Sequence, residues 1–460
     1  MKNYLVFTMA TLLLGTACSS KKEHAEGFTG APGEVKLITL DPGHFHAALV
    51  QKVSYPQVSK DVYVYAPTGF DVNEHLKRIE GFNTRAENPT LWNEIVYTGT
   101  DYLEKMLAEK KGNVMIQAGN NGKKTEYIKK TLEAGINVLS DKPMAINSQN
   151  FKLLEECFDI ARQKNVLLYD IMTERNEITT MLQRELSTIP AIYGEQLKGS
   201  PDEPAIVKES VHHLFKLVDN KPLTRPVWYF DVTQQGEGIV DVTTHLVDLV
   251  QWEAFPEQII DYKKDIELVD ANRWTTSISP EEFKQVTGTD AYPDFLKKDV
   301  ENDTLKVYCN GDIVYKIKGV TAKVSVIWNY TFPEGGGDTH FSVMKGSKAD
   351  LIIRQGQEQG YKPELYIEAL PDIDLAAYEK ELAAAMSTVA DKYPGVALDK
   401  VSDNVWQVQI PATYRVGHEA HFGQVMENYL QYLQDGKLPD WEVPNMIAKY
   451  YVTTHALEMA

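Results

Sequence analysis

The chain has 460 residues, of which 43% are hydrophobic, and this length predicts two domains because single cores rarely grow beyond about 250 residues. Its 47 basic and 65 acidic residues give a formal net charge of −18, which argues against nucleic acid and anionic membrane surfaces as partners. A small molecule or a neutral glycan fits this charge balance better.

The amino terminus has the layout of a bacterial export signal. An apolar run from Tyr4 to Leu14 is too short to span a bilayer, and small residues follow it up to Cys18 in the manner of a lipobox. We predict a signal peptide over residues 1–17, lipidation of Cys18 and a polar tether over 18–33, with an ordinary cleaved signal as the alternative. The protein is therefore expected to be exported, and its lipid would hold it on the periplasmic side of a bacterial membrane.

Six apolar strand-like runs alternate with segments of helical period between Val35 and Ile171. They are VKLITL, DVYVYA, EIVYTG, NVMIQAG, NVLS and NVLLYDI, and the first is followed by a helical pattern, FHAALVQKV. This alternation is typical of βαβ units and predicts a Rossmann-type α/β domain with a parallel sheet over residues 34–176. Ligands of such sheets bind at the carboxyl ends of the strands.

The loop after the first predicted strand, DPGHFHA, stands where a dinucleotide-binding loop belongs. The usual fingerprint, G-x-G-x-x-G, is reduced to its middle glycine, because its three positions hold Asp41, Gly43 and His46. The pair His44 and His46 also raises the question of a metal ion. No carboxylate or cysteine cluster accompanies the pair in the sequence, so we predict that the protein has no metal site.

Residues 177–460 carry longer alternating runs, which predict a second α/β domain with a mainly antiparallel open sheet. Within LKVYCNGDIVYKIKG we interpret Asn310-Gly311 as a hairpin turn. A Gly-rich turn after RPVWYFDVTQQ leads into a predicted helix that carries Asp241 and His245 four residues apart, and therefore on one face. A histidine in such a place is either a base of near-neutral pKa or a packed core residue.

Two stretches resemble the Gfo/Idh/MocA family of nicotinamide-dependent oxidoreductases. In LEAGINVLSDKP, the residues Asp141, Lys142 and Pro143 stand where the family has Glu-Lys-Pro, and the Gly-rich turn is followed by Asp-x-x-x-His at Asp241 and His245. The resemblance implies that Lys142 favours a developing alkoxide, that His245 is the general base, and that Asp241 orients the histidine or holds a second hydroxyl. These three are the predicted catalytic residues.

The resemblance also implies a nicotinamide dinucleotide and places its pyrophosphate against the degenerate loop. The predicted cofactor-binding residues, which follow the first, fourth and fifth strands, are Pro42, Gly43, His44, Phe45, His46, Gly119, Asn120, Asn121, Asp141 and Lys142. The preference for NAD over NADP is weak. The second strand ends at Ala66 without an acidic residue for the ribose hydroxyls, Asp71 is a distant substitute, and no nearby arginine favours NADP.

The implied activity is oxidation of a secondary hydroxyl of a sugar or glycoside, with a tightly bound cofactor because free nicotinamide nucleotides are not expected outside the cytoplasm. Two alternatives stay open: a redox-neutral, NAD-dependent enzyme of the same family that cleaves glycosides, and a non-catalytic glycan-binding lipoprotein. Arg175, His212 and His213 are further candidates for contact with the substrate. The expected partners are a small sugar or glycoside, no nucleic acid, and a membrane only through the lipid anchor; a homo-oligomer is allowed.

Overall fold

The computed structural model of the chain describes residues 27–218, 221–333 and 335–460. The predicted signal peptide and Cys18 lie outside these residues. No helix in the described ranges is both long enough and apolar enough to cross a membrane.

The described part of the predicted tether, residues 27–33, lies against the folded chain. The Glu34 carboxylate accepts hydrogen bonds from the amides of Thr29, Gly30 and Ala31 at 2.9 to 3.1 Å, and Phe28 packs on the first hydrophobic core. The folded chain therefore begins before the predicted end of the tether, because one apolar ring and one local carboxylate fix this segment despite its glycines and proline.

The first domain is built on a six-stranded parallel sheet, which confirms the predicted Rossmann-type fold. Its strands run in the order β3-β2-β1-β4-β5-β6. Every residue of the strands β1, β4, β5 and β6 is buried, as expected for a sheet covered on both faces. The strands are β1 (Leu37–Leu40), β2 (Asp61–Ala66), β3 (Asn93–Thr98), β4 (Val114–Gln117), β5 (Asn137–Asp141) and β6 (Leu168–Ile171).

The helices of the first domain follow the predicted pattern, with one exception. They are α1 (His46–Leu49), α2 (Phe70–Thr84), α3 (Tyr102–Glu109), α4 (Asn121–Glu133) and α5 (Ser148–Lys164). The pattern FHAALVQKV predicts a longer first helix, but α1 has only four residues. After α1 the chain forms turns that lead to Tyr55-Pro56. Because the residue before a proline disfavours helical backbone, the helix does not continue to this point.

The second domain contains a ten-stranded sheet in which one pair, β7 with β13, is parallel and the other described pairs are antiparallel. The order along the sheet is β10-β12-β13-β7-β14-β15-β16-β18-β17, with β11 paired to β12, and β8 pairs only with β9. The strands are β7 (Ile206–His213), β8 (Leu217–Val218), β9 (Lys221–Pro222), β10 (Ile266–Ile278), β11 (Val300–Glu301), β12 (Thr304–Ile317), β13 (Val320–Asn329), β14 (Thr339–Lys345), β15 (Ala349–Gln355), β16 (Glu364–Ala369), β17 (Ala397–Ser402) and β18 (Val405–Gln409).

The predicted hairpin turn at Asn310-Gly311 is wrong, because both residues lie inside the long strand β12. The turn to β13 is made at Lys318 and Gly319, whose φ angles are +48° and +80°. Gly311 instead allows close packing, because a Cβ at this position would lie 2.8 Å from Cβ of Ile239. The Asn310 side chain accepts a hydrogen bond from the amide of Trp328, near the end of β13, at 2.7 Å. A dipeptide that is typical of turns is therefore used here inside a strand.

Eight helices complete the described part of the second half, and the last two return to the first domain. They are α6 (Ile178–Ser187), α7 (Val232–Gln235), α8 (Thr243–Ala254), α9 (Tyr262–Asp265), α10 (Pro280–Thr287), α11 (Leu375–Lys392), α12 (His418–Asp435) and α13 (Glu442–Met459). The first core, formed mainly by the parallel sheet, includes Phe422, Met426 and Tyr429 of α12 and Met446 and Tyr450 of α13. The end of the chain therefore joins the two domains.

A buried network of charges ties α8 and α13 to the end of β6. Arg175 donates to both carboxylate oxygens of Asp248 at 2.7 Å and to Glu442 at 2.8 Å. Lys449 contacts Asp170 and Asp248, each at 2.8 Å. The Arg175 and Lys449 charges outweigh burial and hold the pKa of Asp248 well below its usual range. All five side chains are buried, so each charge depends on its partners.

We expect Arg175→Met to lower the free energy of unfolding by about 3–5 kcal/mol, because it leaves buried carboxylates without their cation. Urea denaturation followed by circular dichroism measures the change. The matched control is Arg162→Met, since Arg162 makes only an exposed pair with Asp159 on the surface of α5, and it should unfold close to the unmodified protein. Equal stabilities of the two variants would contradict a supporting role for the network.

Candidate active site

The loops after β1 and β4 meet at the carboxyl edge of the parallel sheet. The amides of Gly43 and His44 both donate to the carbonyl oxygen of Ala118 at 3.1 Å. Gly119 permits this contact, because a Cβ at that position would lie 2.5 Å from the carbonyl oxygen of Asp41. The first and fourth strands therefore deliver the predicted cofactor loop as one packed unit.

Lys142 and Asp241 form the central ion pair of the cleft between the domains. The Lys142 amine donates to one oxygen of Asp241 at 2.7 Å, and Gln235 donates to the other at 3.0 Å. Both charged side chains are about nine-tenths buried, with 10% and 11% of their surface exposed. Asp241 lies in the turn before α8 and not on the helix as predicted. Its carboxylate contacts Lys142, and no hydrogen bond joins it to His245 among the described residues.

The amine of a second lysine holds the end of β5. Lys124 of α4 is fully buried, and its amine donates to the carbonyl oxygen of Asp141 at 2.8 Å and to that of Lys142 at 3.4 Å. Burial lowers the pKa of Lys124 to about 8. Because Lys124 fixes the backbone at this point, the Lys142 side chain is directed across the cleft to the second domain.

His245 lies on the first turn of α8 and is partly buried. Burial lowers its pKa well below the ordinary histidine value, and the charge of Lys142 adds to this effect. The ring is therefore neutral near pH 7 and can accept a proton. Its Nδ1 atom is buried and has no hydrogen-bond partner among the described residues, so a bound ligand could satisfy it.

The structure brings a carboxylate to the histidine pair in the cofactor loop. Nδ1 of His46 lies 3.0 Å and Nδ1 of His44 lies 3.3 Å from Oδ2 of Asp141. Burial lowers the pKa of both histidines. Burial alone would raise the pKa of Asp141, but the two histidines and Lys124 outweigh it and hold that pKa well below its usual range. This carboxylate comes from a distant strand, so the sequence pattern could not place it beside the two histidines.

The predicted residues Asn120 and Asn121 connect the first domain to the second. Asn120 donates to the side chain of Gln234 at 2.8 Å, and Asn121 donates to the carbonyl oxygen of Gln235 at 2.7 Å. Asn120 also caps α4, accepting from the amide of Gly122 at 3.0 Å. Both side chains therefore help to close the domains around the cleft.

His212 and His213 end β7 and share one carboxylate that the sequence analysis missed. Asp338 accepts from Nδ1 of His212 at 3.2 Å and from Nδ1 of His213 at 3.0 Å, and Lys216 also contacts it. The His212 ring stacks on Trp328, with centroids 4.8 Å apart, and its buried Nε2 has no hydrogen-bond partner among the described residues. No sequence pattern links Asp338, in a Gly-rich loop, to the distant histidines.

Arg175, a candidate substrate residue, lies in the buried charge network between β6, α8 and α13. Its donors are engaged by Asp248 and Glu442 in the buried network, and its guanidinium lies over the Trp441 ring. Arg175 could contact a sugar only if these contacts were rearranged, and its substrate role stays a prediction. The correct part of the prediction is its location after the last strand of the first domain.

A pocket of about 440 Å³ lies at the carboxyl ends of β1 and β2. Asp41, the start of α2 and the segment from Arg225 to Trp228 are among the residues that line it. The Trp228 indole donates to the Asp71 carboxylate at 2.9 Å. Burial raises the pKa of Asp71. This position and size fit the adenosine half of a dinucleotide, with Asp71 placed to accept from the ribose hydroxyls. A smaller pocket beside it is lined by Pro42, Gly43, His44 and Phe45.

Two family models together match most of the chain. Residues 72–170 match "Oxidoreductase family, NAD-binding Rossmann fold", and residues 182–460 match "Putative oxidoreductase C terminal domain". No functionally curated protein matches the chain in sequence.

Solved structures share the fold over nearly the whole chain. A "putative oxidoreductase" from Parabacteroides merdae ATCC 43184 is 88% identical, with a TM-score of 0.94 over 95% of this chain and 99% of that one. Levoglucosan dehydrogenase in complex with NADH and levoglucosan is 12% identical, with a TM-score of 0.57 over 93% and 98%. A 3-ketoreductase from Actinomadura kijaniata in complex with NADP and TDP-benzene is also 12% identical, with a TM-score of 0.54 over 91% and 95%.

Fold, cleft and family models together define a two-domain oxidoreductase that uses a nicotinamide dinucleotide. The chain belongs to the Gfo/Idh/MocA family. The family and the cofactor class predicted from the sequence are thereby confirmed.

We expect Gly43→Val to reduce the amount of dinucleotide that the protein binds. A Cβ at Gly43 would lie 3.0 Å from Trp228 and 3.2 Å from the Asp71 carboxylate, so the larger side chain displaces the walls of the pocket. Nucleotide released by acid and quantified by absorbance gives the measurement. Gly81→Val is the control, since a Cβ at Gly81 meets nothing within 4 Å. Unchanged binding in the Gly43 variant would place the cofactor elsewhere.

Proposed function

We propose that the protein oxidises a secondary hydroxyl of a neutral sugar or glycoside. The observation that carries the proposal is the Lys142–Asp241 pair at 2.7 Å, with neutral histidines on the same cleft. A sugar hydroxyl that enters between the pair can accept from the amine and donate to the carboxylate. Among the residues that the structure describes at the cleft, no cluster of free cations would select a polyanionic substrate.

The nicotinamide, when bound, supplies the hydride acceptor. The chain's own residues bind the cofactor and position the substrate. The loop from Pro42 to His46 and the Asn120–Asn121 turn would hold the dinucleotide, with Asp71 toward the adenosine ribose. Lys142 stabilises the negative charge that develops on the substrate oxygen, and Asp241 fixes the position of the Lys142 amine. NAD is favoured over NADP because Asp71 would repel a ribose phosphate.

We assign the general base to His245 and a substrate-positioning role to His212. The charge of Lys142 acts on His245 and lowers its pKa further, and the buried Nδ1 of His245 has no hydrogen-bond partner among the described residues, so a hydroxyl held by Lys142 could satisfy it. His212 is oriented by Asp338, which leaves its Nε2 to accept from another hydroxyl of the ring. Burial lowers the pKa of each ring, so both are acceptors near neutral pH.

The two assignments predict different kinetic effects. His245→Ala and Lys142→Met should each lower kcat by about 10²–10⁴-fold, the usual scale for loss of a general base or a charge-stabilising group. Their combined effect should be smaller than the product, because both act on one hydroxyl. His212→Ala should mainly raise KM. Turnover of methyl glycosides by the dinucleotide-loaded protein, followed by product analysis, provides these values.

Bound dinucleotide is the control for these variants and should remain in His245→Ala, because the residue belongs to the second domain. A loss of kcat in His212→Ala with near-normal turnover in His245→Ala would reverse the two roles. The proposed function would be contradicted if the loaded, unmodified protein gave no oxidised product with any of the neutral glycosides.

A redox-neutral reaction that cleaves the glycoside is a second candidate. It would oxidise a ring hydroxyl to a ketone, expel the aglycone as the proton beside the ketone is removed, add water to the resulting double bond and reduce the ketone again. It needs a base for a C–H proton as well as one for the hydroxyl. The presence of two neutral imidazoles, His212 and His245, favours this candidate. Release of the aglycone without net reduction of the cofactor would distinguish it from simple oxidation.

We also propose that the protein is exported, anchored by a lipid on Cys18, and loaded with its cofactor before export. The support is the apolar run and the small residues before Cys18. Cys18→Ser should abolish partitioning into the detergent phase while leaving the expression level comparable. Unchanged partitioning of that variant would contradict the anchor.

A further inference from the structure

The densest group of metal-ligating side chains in the described chain lies at the end of the parallel sheet. It consists of His44, His46 and Asp141, whose ligand atoms all lie within 4.8 Å of one another. The two Nδ1 atoms converge on one oxygen, Oδ2 of Asp141, at 3.3 and 3.0 Å. Separations of this size are those expected between neighbouring ligand atoms around one transition-metal ion, whose bonds are about 2.0–2.2 Å long.

The fold holds these three side chains in place from two strands. His44 and His46 follow β1, and the backbone amide of His44 is fixed by Ala118. Asp141 ends β5, where Lys124 binds its carbonyl oxygen at 2.8 Å. The ligand atoms are therefore pre-positioned by backbone contacts and do not depend on flexible segments.

Exposure differs among the three side chains in the way an open metal site requires. Asp141 is 5% exposed and His46 is 10% exposed, whereas His44 is 30% exposed. An ion can therefore enter from the cleft, and its remaining coordination positions would face the cleft. Structural zinc sites have four protein ligands, and sites that act on a bound molecule keep a position open.

We propose that His44, His46 and Asp141 bind one divalent late first-row transition-metal ion, with zinc as the reference ion. Two imidazole nitrogens and one carboxylate oxygen suit such ions, whereas calcium and magnesium require sites made mainly of oxygen. The open positions of the ion would take water or an oxygen atom of a bound ligand. This site lies beside the Lys142–Asp241 pair, because Asp141 directly precedes Lys142, and it goes beyond the proposed oxidation.

Zinc binding to the full chain, purified without a histidine tag and stripped with a chelator, tests the proposal. Isothermal titration should show one zinc ion per chain. His46→Ala and Asp141→Asn should each weaken binding by more than the roughly 10–100-fold that loss of an outer-shell partner costs. His455→Ala is the control, because this histidine lies on α13 and bonds within its own helix, and it should bind zinc as the unmodified protein does.

Cobalt(II) provides a measurement that does not depend on the folding of a variant. The unmodified, stripped protein loaded with one equivalent of cobalt(II) should show the visible absorption of a cobalt ion with nitrogen ligands, and added zinc should remove it. Stoichiometric zinc binding that is lost in both ligand variants supports the site. The proposal would be overturned if the unmodified protein bound no zinc, or if all variants bound it equally, and if cobalt(II) kept the spectrum of the free aqueous ion. The three side chains would then form only a hydrogen-bonded triad.

Discussion

The buried charge network around Arg175 and Lys449 is the interaction on which the rest of the structure depends. It joins Asp170 at the end of the parallel sheet, Asp248 on the helix that carries the proposed base, and Glu442 on the last helix. Charges taken out of water are tolerated only with complete sets of partners. Any shift of one element would therefore leave a charge unpaired, and the network defines how the second domain sits over the cleft.

The same requirement explains the electrostatics of the cleft itself. Lys142 and Asp241 come from different domains, and each is the main charged contact of the other. A ligand that separates them must replace both contacts. A hydroxyl group can do this, because its oxygen accepts from an amine while its proton is donated to a carboxylate. A purely apolar ligand would leave two nearly buried charges unpaired, so the pair disfavours such a ligand.

Local patterns in the sequence predicted the fold better than they predicted the site. Six apolar runs separated by helical periods were sufficient for the parallel sheet, because each strand and helix is encoded by neighbouring residues. Several of the failures involve distant residues. Asn310-Gly311 has a turn composition, but its place inside β12 depends on packing against Ile239. Asp141 and Asp338 reach histidines about 95 and 125 residues away, and no local pattern records such contacts.

The missing glycines of the cofactor loop have a physical explanation in these contacts. The first position of the fingerprint requires a tight turn, and Asp41 makes it with φ of +44°, a conformation that aspartate tolerates better than most residues. The third glycine normally permits a long helix to pack on the strand, but α1 ends after one turn, so His46 can carry a side chain. Only Gly43 is tightly enclosed, by Trp228. The loop therefore keeps the one glycine that its surroundings require.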